Sequence, residues 1–269
     1  MSAHFNVFRS LKILAGYRQR VLEGIVHDIR QRYVGSGFGM FWAFLYPLLQ
    51  LSIYAVVYSF IFKIRVPGLP GGGYVILVFS GLVPLMAFNE ALTAATSSLS
   101  GNKSLLLNTV FPTEFIPLRA ALSAHITSLI ALAITLTAGF LLGRTSWQAL
   151  VLVPIFWILL LMFALGIGWM FSLFSLVARD IQHSLGLVTM LLFVLSPFAY
   201  TPEMVPESLK PIIYLNPLSY FVLTFQQLIC YGTWPDPLAA GGAILLGIGS
   251  FFLGFIVFQK VKYVFFDYV

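Results

Sequence analysis

Six long stretches of this chain carry no charged side chain, and that pattern restricts its fold more than any other feature. Charge is absent between Arg32 and Lys63, Arg65 and Glu90, Arg119 and Arg144, Arg144 and Arg179, Asp180 and Glu203, and Asp236 and Lys260. A helix rises about 1.5 Å per residue, so some 20 apolar residues match the roughly 30 Å hydrocarbon layer of a bilayer. The runs predict an all-α integral membrane protein with six transmembrane helices, over about 37–62, 74–99, 116–142, 150–177, 185–200 and 238–258. Composition agrees, with 59% hydrophobic and 9% charged residues, against about 25% charged in soluble domains. A transmembrane β-barrel fits poorly because barrel strands alternate apolar and polar residues, whereas here both faces of each run are apolar. No cleaved leader is expected, since the first run begins after more than thirty polar-rich residues.

Lys and Arg set the orientation, because they stay on the cytoplasmic side. With the N-terminus inside, eleven of the 15 lysines and arginines fall in cytoplasmic segments, and Lys63, Arg65, Arg144 and Lys210 fall outside. Six spans then leave both termini cytoplasmic. The net charge of +6 describes a membrane-facing rim, and no nucleic-acid partner is expected, since that would need the charge clustered on a soluble domain. Cys230 is the only cysteine, so neither a disulfide nor a cysteine metal cluster forms within the chain.

Residues 1–36 read as a cytoplasmic amphipathic interface helix, and 37–269 as the six-span domain. Leu14, Arg18, Leu22, Ile25 and Ile29 recur at helical spacing, which suits a helix lying along the membrane surface; a basic leader that merely fixes topology fits as well. The inner segments, about 100–115 and 178–184, are candidate coupling loops. The stretch 201–227 alternates Pro202, Pro206, Pro211 and Pro217 with apolar pieces. It predicts short re-entrant helices before the last span, tolerated at depth only where protein or a watery cavity satisfies the backbone; a surface-lying outer loop is the alternative.

No motif in the chain points to an energy source or to catalysis. The string Gly101-Asn102-Lys103-Ser104 lacks the glycines that a phosphate loop needs, and neither a hydrolase elbow nor a zinc-protease motif is present. No catalytic residue, metal site or resident cofactor is expected. Glu90 falls near the inner interface, and His125, the deepest titratable group, reads as a polar contact between helices. In the first span Trp42, Tyr46, Gln50, Tyr54 and Tyr58 recur every four residues, an advance of about 40° per step, so that any four of them share one broad face. Aromatic planes with polar edges suit sugars, so this stripe is the candidate substrate path; lipid-facing packing fits the same spacing, though Gln50 would then leave an amide unpaired.

Five short motifs occur in one order: Arg32-Tyr33-x-x-Ser36-x-x-Gly39-x-x-Trp42 with Pro47-Leu48; Phe111-Pro112-Thr113-Glu114-x-x-Pro117; Arg179-Asp180-Ile181; Ser196-Pro197-x-x-Tyr200; and Asn216-Pro217-Leu218. In this register the chain resembles the permeases of ABC-type polysaccharide exporters, the membrane halves of O-antigen, capsule and teichoic-acid systems (ABC-2 family). The resemblance implies a homodimer in the bacterial inner membrane, paired with two copies of an ATP-binding subunit that holds ATP and Mg. It implies an undecaprenyl-pyrophosphate or other lipid-linked glycan as cargo. Arg30 and Arg32, at the meeting of surface helix and first span, are the candidate contacts for the carrier head group; attraction to anionic lipid fits them as well. Asn102, Lys103, Phe111, Arg179 and Asp180 are the candidate ATPase-coupling residues; for Arg179 and Asp180 a local ion pair that fixes topology is an equal alternative. The alternatives are an exporter of a drug or lipid, and a passive channel or scaffold in a synthesis complex.

Overall fold

The computed structural model describes residues 7–57, 61, 66, 69, 72–102, 112–178 and 180–266, with side chains from 16 to 264 within those ranges. They are overwhelmingly helical, and no strand occurs among them. The helices are α1 (Val7–Gln31), α2 (Trp42–Val56, entered through a 3-10 turn, Gly39–Phe41), α3 (Gly72–Gly101), α4 (Phe115–Thr127), α5 (Leu129–Leu141) and α6 (Gln148–Val177). They continue as α7 (Asp180–Leu195), the short α8 (Lys210–Leu215) and α9 (Pro217–Gln226), and α10 (Pro237–Phe266).

Five segments are long and apolar enough to cross a bilayer: Gly39–Val56, Gly72–Gly101, Phe115–Leu141, Gln148–Val177 and Pro237–Val264. The fifth run differs from its expected place. Its helix is α7, 16 residues beginning at Asp180, so it starts five residues early and stops at Leu195. Pro197 removes a donor and biases the residue before it away from helical geometry, which ends α7 before the apolar run does. At about 1.5 Å per residue α7 reaches about 24 Å, short of the other five.

The bundle core is α3, buried over most of its length, packed against α6, with α9 and α10 closing around them. Phe163 stacks between Phe88 and Phe221, at ring-centroid distances of 5.1 and 5.5 Å. Between α6 and α10 the backbones touch: a methyl group at Gly166 or Gly254 would overlap the opposing main chain. Small residues permit such an approach where lipid offers no hydrophobic drive between helices.

The predicted short helices of 201–227 are present as two 3-10 turns (Pro202–Met204 and Glu207–Leu209), α8 and α9, followed by a π-helical turn, Gln227–Tyr231. Phe221 and Phe225 of α9 are fully buried. Irregular backbone survives here because side chains satisfy it. Asn216 Nδ2 donates to Leu192 O and Ser196 Oγ, both at 2.9 Å, while its Oδ1 accepts from Leu218 N. Gln226 Nε2 donates to Pro197 O at 2.9 Å, and Tyr74 Oη to Ala199 O at 2.9 Å.

α1 docks on α4 at one end of the bundle, but through a different face from the one its spacing suggests. Val21 and Ile25 are buried with Phe115, and Tyr17 lies 6.0 Å from Phe115; Leu22, by contrast, is 61% exposed. Successive residues sit about 100° apart on the helix, so a one-residue shift turns Leu22 outward. Asp28 pairs with Arg119 Nε at 2.9 Å, and the Arg119 stem lies across Gly24, where any side chain would collide. The opposite end is tied by Ser146 Oγ and Gln148 Nε2, which both donate to Gly232 O.

Candidate functional site

The link from α1 to α2 is built from turns. Gly35 and Gly39 have φ of +81° and +51°, left-handed values that glycine adopts without strain, and Ser36 Oγ accepts from Gly39 N at 2.9 Å. This link sets Arg32, Tyr33 and Ser36 beside the start of α2. Together with α3 and the α4–α5 junction they enclose a cleft of about 430 Å³, within the 300–1,000 Å³ range of small-molecule sites.

One wall carries Trp42, Tyr46 and Gln50 of α2; the facing wall carries Met86 and Glu90 of α3 with Thr127 and Ser128. Arg32 Nη1 donates to Thr127 Oγ1 at 3.3 Å, and Ser128 Oγ donates to Glu90 Oε2 at 3.2 Å. Gln50 Oε1 is buried with no hydrogen-bond partner among the described residues. The Tyr33 phenol is raised above its ordinary pKa chiefly by burial, with Arg32 opposing and Glu90 adding to the shift. It stays protonated, a donor beside one cation and one carboxyl group.

The structure therefore brings Arg32, Trp42, Tyr46 and Gln50 into one cleft. Tyr54 lies outside it, edge-on to Phe198 at 6.3 Å, because the 40° drift per four residues turns it toward the segment after α7. Tyr58 lies outside the described residues. Arg30 is exposed on α1 and does not line the cleft.

Of the coupling candidates, Asn102 and Asp180 are described; Lys103, Phe111 and Arg179 lie outside the described residues. Asn102 Nδ2 donates to Ser98 O at 2.8 Å. Asp180 is exposed in the first turn of α7, where a carboxylate complements the helix dipole. Gln182 Nε2 donates to Ser100 Oγ at 2.9 Å, so the ends of α3 and α6 and the start of α7 meet at the α1 end. Asn102 also lines a polar hollow of about 600 Å³ with Asp28, Arg32 and Arg119, which makes Arg32 a wall common to hollow and cleft.

Sequence reasoning missed Ser128 beneath Glu90, and Lys262 paired with Glu114. Ser128 breaks the third run into α4 and α5 without a proline or glycine, so no local residue signals it. Lys262 belongs to a helix that continues well beyond the expected 238–258, and its charge marked a cytoplasmic tail in the sequence.

A helical bundle with five membrane-length segments is a multi-pass membrane protein, and this one carries a ligand-sized cleft lined by both apolar and polar side chains. Residues 25–229 match the membrane domain of ABC-2 type transporters, and the chain belongs to that family. An O-antigen export system permease protein, RfbA of Klebsiella pneumoniae, is 30% identical over 258 residues, covering 94% of this chain and 96% of that protein. RfbA of Myxococcus xanthus is 24% identical, over 91% and 95%. The polysialic acid transport protein KpsM of Escherichia coli is 21% identical, over 87% and 90%.

Proposed function

We propose that this chain is the permease subunit of a bacterial ABC exporter that moves a lipid-linked polysaccharide outward across the inner membrane, powered by ATP hydrolysis on a separate subunit. The observation that carries this reading is end-to-end similarity to an O-antigen export permease over 94% of the chain. Two copies of the chain pair with two ATP-binding subunits. The α1 end, with Arg18, Arg20, Arg30 and Arg32, faces the cytoplasm, in keeping with the positive-inside rule. α7 completes a sixth crossing and leaves both termini inside. ATP and Mg sit on the partner, and the Ser100–Gln182 hydrogen bond makes the two coupling segments move as a unit when that partner closes. Arg32 meets the carrier's phosphate at the cleft mouth, a task suited to a planar guanidinium. Trp42 and Tyr46 offer sugar rings apolar planes that bind weakly, as a moving polymer requires.

Complementation tests the reading. In a bacterium deleted for its own O-antigen permease, this chain, expressed with its ATP-binding subunit and the matching glycan-assembly enzymes, restores surface glycan. Glycan retained in the cytoplasm despite an inserted, ATPase-bound permease contradicts it.

A further inference from the structure

We propose that the cleft is a glycosyl-diphosphate subsite, in which Gln50 and Glu90 accept hydrogen bonds from the hydroxyls of the sugar joined directly to the carrier's diphosphate. This rests on the lipid-linked substrate of the proposed function and adds which part of that substrate is read. Three observations point to it. Gln50 Oε1 is buried and unpartnered, and a buried acceptor without a donor is costly until a ligand supplies one. Glu90 sits deeper than Arg32 and takes a single hydrogen bond, from Ser128, among the described residues, although an ionised carboxylate has room for about four. Arg32 spends one of its five N–H groups on Thr127.

The order of groups selects the ligand. A cationic donor, Arg32, stands at the mouth, and below it two acceptors stand on opposite walls, Gln50 on α2 and Glu90 on α3. A matching ligand presents an anion first and several donors about one ring further in. A bare lipid diphosphate satisfies Arg32 and leaves both acceptors empty. The ammonium of phosphatidylethanolamine is a compact donor that serves Glu90 but does not spread between walls. A hexose carries hydroxyls around its whole edge and so reaches both, while its C–H face lies on Trp42 or Tyr46. The cleft, at about 430 Å³, has room for that sugar, and with the phosphate held by Arg32 at the mouth it is the sugar joined to the diphosphate that comes within reach of the acceptors, so the site reads the reducing end whatever polymer follows.

The test uses the permease–ATPase complex in nanodiscs free of phosphatidylethanolamine. Two probes are compared by equilibrium binding, farnesyl diphosphate and the same lipid bearing one hexose on the diphosphate, and the ratio of their Kd values is read within each variant. The wild type prefers the glycosylated probe by about tenfold or more, the scale of a charge-assisted hydrogen bond. Glu90→Gln and Gln50→Leu each shrink that ratio, and together they bring it to within about twofold of unity. Ser128→Ala cuts the hydrogen bond between helices yet leaves the carboxylate in place, so it keeps the ratio; a purely structural Glu90 predicts that it behaves like Glu90→Gln. The proposal is overturned if the wild type binds both probes equally, if the double variant keeps the preference, or if phosphatidylethanolamine at bilayer abundance cancels it. Equal binding of both probes sinks this inference alone. Failure to bind either probe sinks the lipid-linked reading with it.

Discussion

Lys262 Nζ lies 3.1 Å from Glu114 Oε2, with the two side chains only 12% and 10% exposed. The contact joins the last helix to the residue that opens α4, and Trp169 Nε1 donates to Glu114 O at 3.0 Å from the core. A secluded ion pair is worth most when seen through its loss, because removing one partner leaves the other charge poorly solvated. Lys262→Met is therefore expected to cost about 2–4 kcal/mol, visible as a lower Tm of the purified protein. The double variant Glu114→Gln with Lys262→Met recovers most of that loss. A double variant as unstable as the sum of the two singles contradicts coupling between the residues.

The α6–α10 crossing predicts that Gly254→Val is among the most damaging single changes in the chain, since the added side chain meets Gly166 backbone. Gly249, with open space around its Cβ position, accepts alanine with little effect. Monodispersity after detergent extraction separates the two; equal recovery refutes the close packing.

Labelling tests the cleft itself. Cys230 is completely buried, so the native protein gives a clean background with a water-soluble thiol reagent. Gln50→Cys reacts and Tyr54→Cys, placed where Tyr54 packs on Phe198, reacts at least several-fold more slowly. Equal rates mean that the four-residue stripe faces one common water-filled path along its whole length.

Coupling is tested by crosslinking. Cysteines at Asn102 and Asp180 both crosslink to the co-purified ATP-binding subunit, because the Ser100–Gln182 contact holds these segments together. Crosslinks from the Gly143–Arg144 turn in their place reverse the proposed topology.

The spans were legible because a bilayer demands one simple thing, an uncharged apolar length, and the runs ending at Arg179 and beginning at Asp236 announce it directly. Where the register failed, a local rule had competed with hydropathy: Pro197 ended α7 while the apolar run continued. For α1, spacing selected Leu22 and Ile25 together, but docking on Phe115 chose Val21 with Ile25 and turned Leu22 out. The cleft was half legible. Periodicity within α2 grouped Trp42, Tyr46 and Gln50, since those contacts are local to one helix. Glu90 with Ser128, and Asp28 with Arg119, are separated by 38 and about 90 residues in the chain, and only packing makes them neighbours.

The central claim is that this chain carries a lipid-linked glycan at the expense of ATP hydrolysed by its partner, and reconstitution tests it most directly. Proteoliposomes holding the permease–ATPase complex are loaded with a lipid-linked glycan, and glycan on the trans side is measured with a glycosidase confined there. The account predicts glycan that appears with ATP, fails to appear with a non-hydrolysable analogue, and falls at least about tenfold in Arg32→Gln, the loss expected for one charge-assisted hydrogen bond. Glycan crossing at the same rate without ATP, or no crossing with an ATPase that turns over normally, contradicts it.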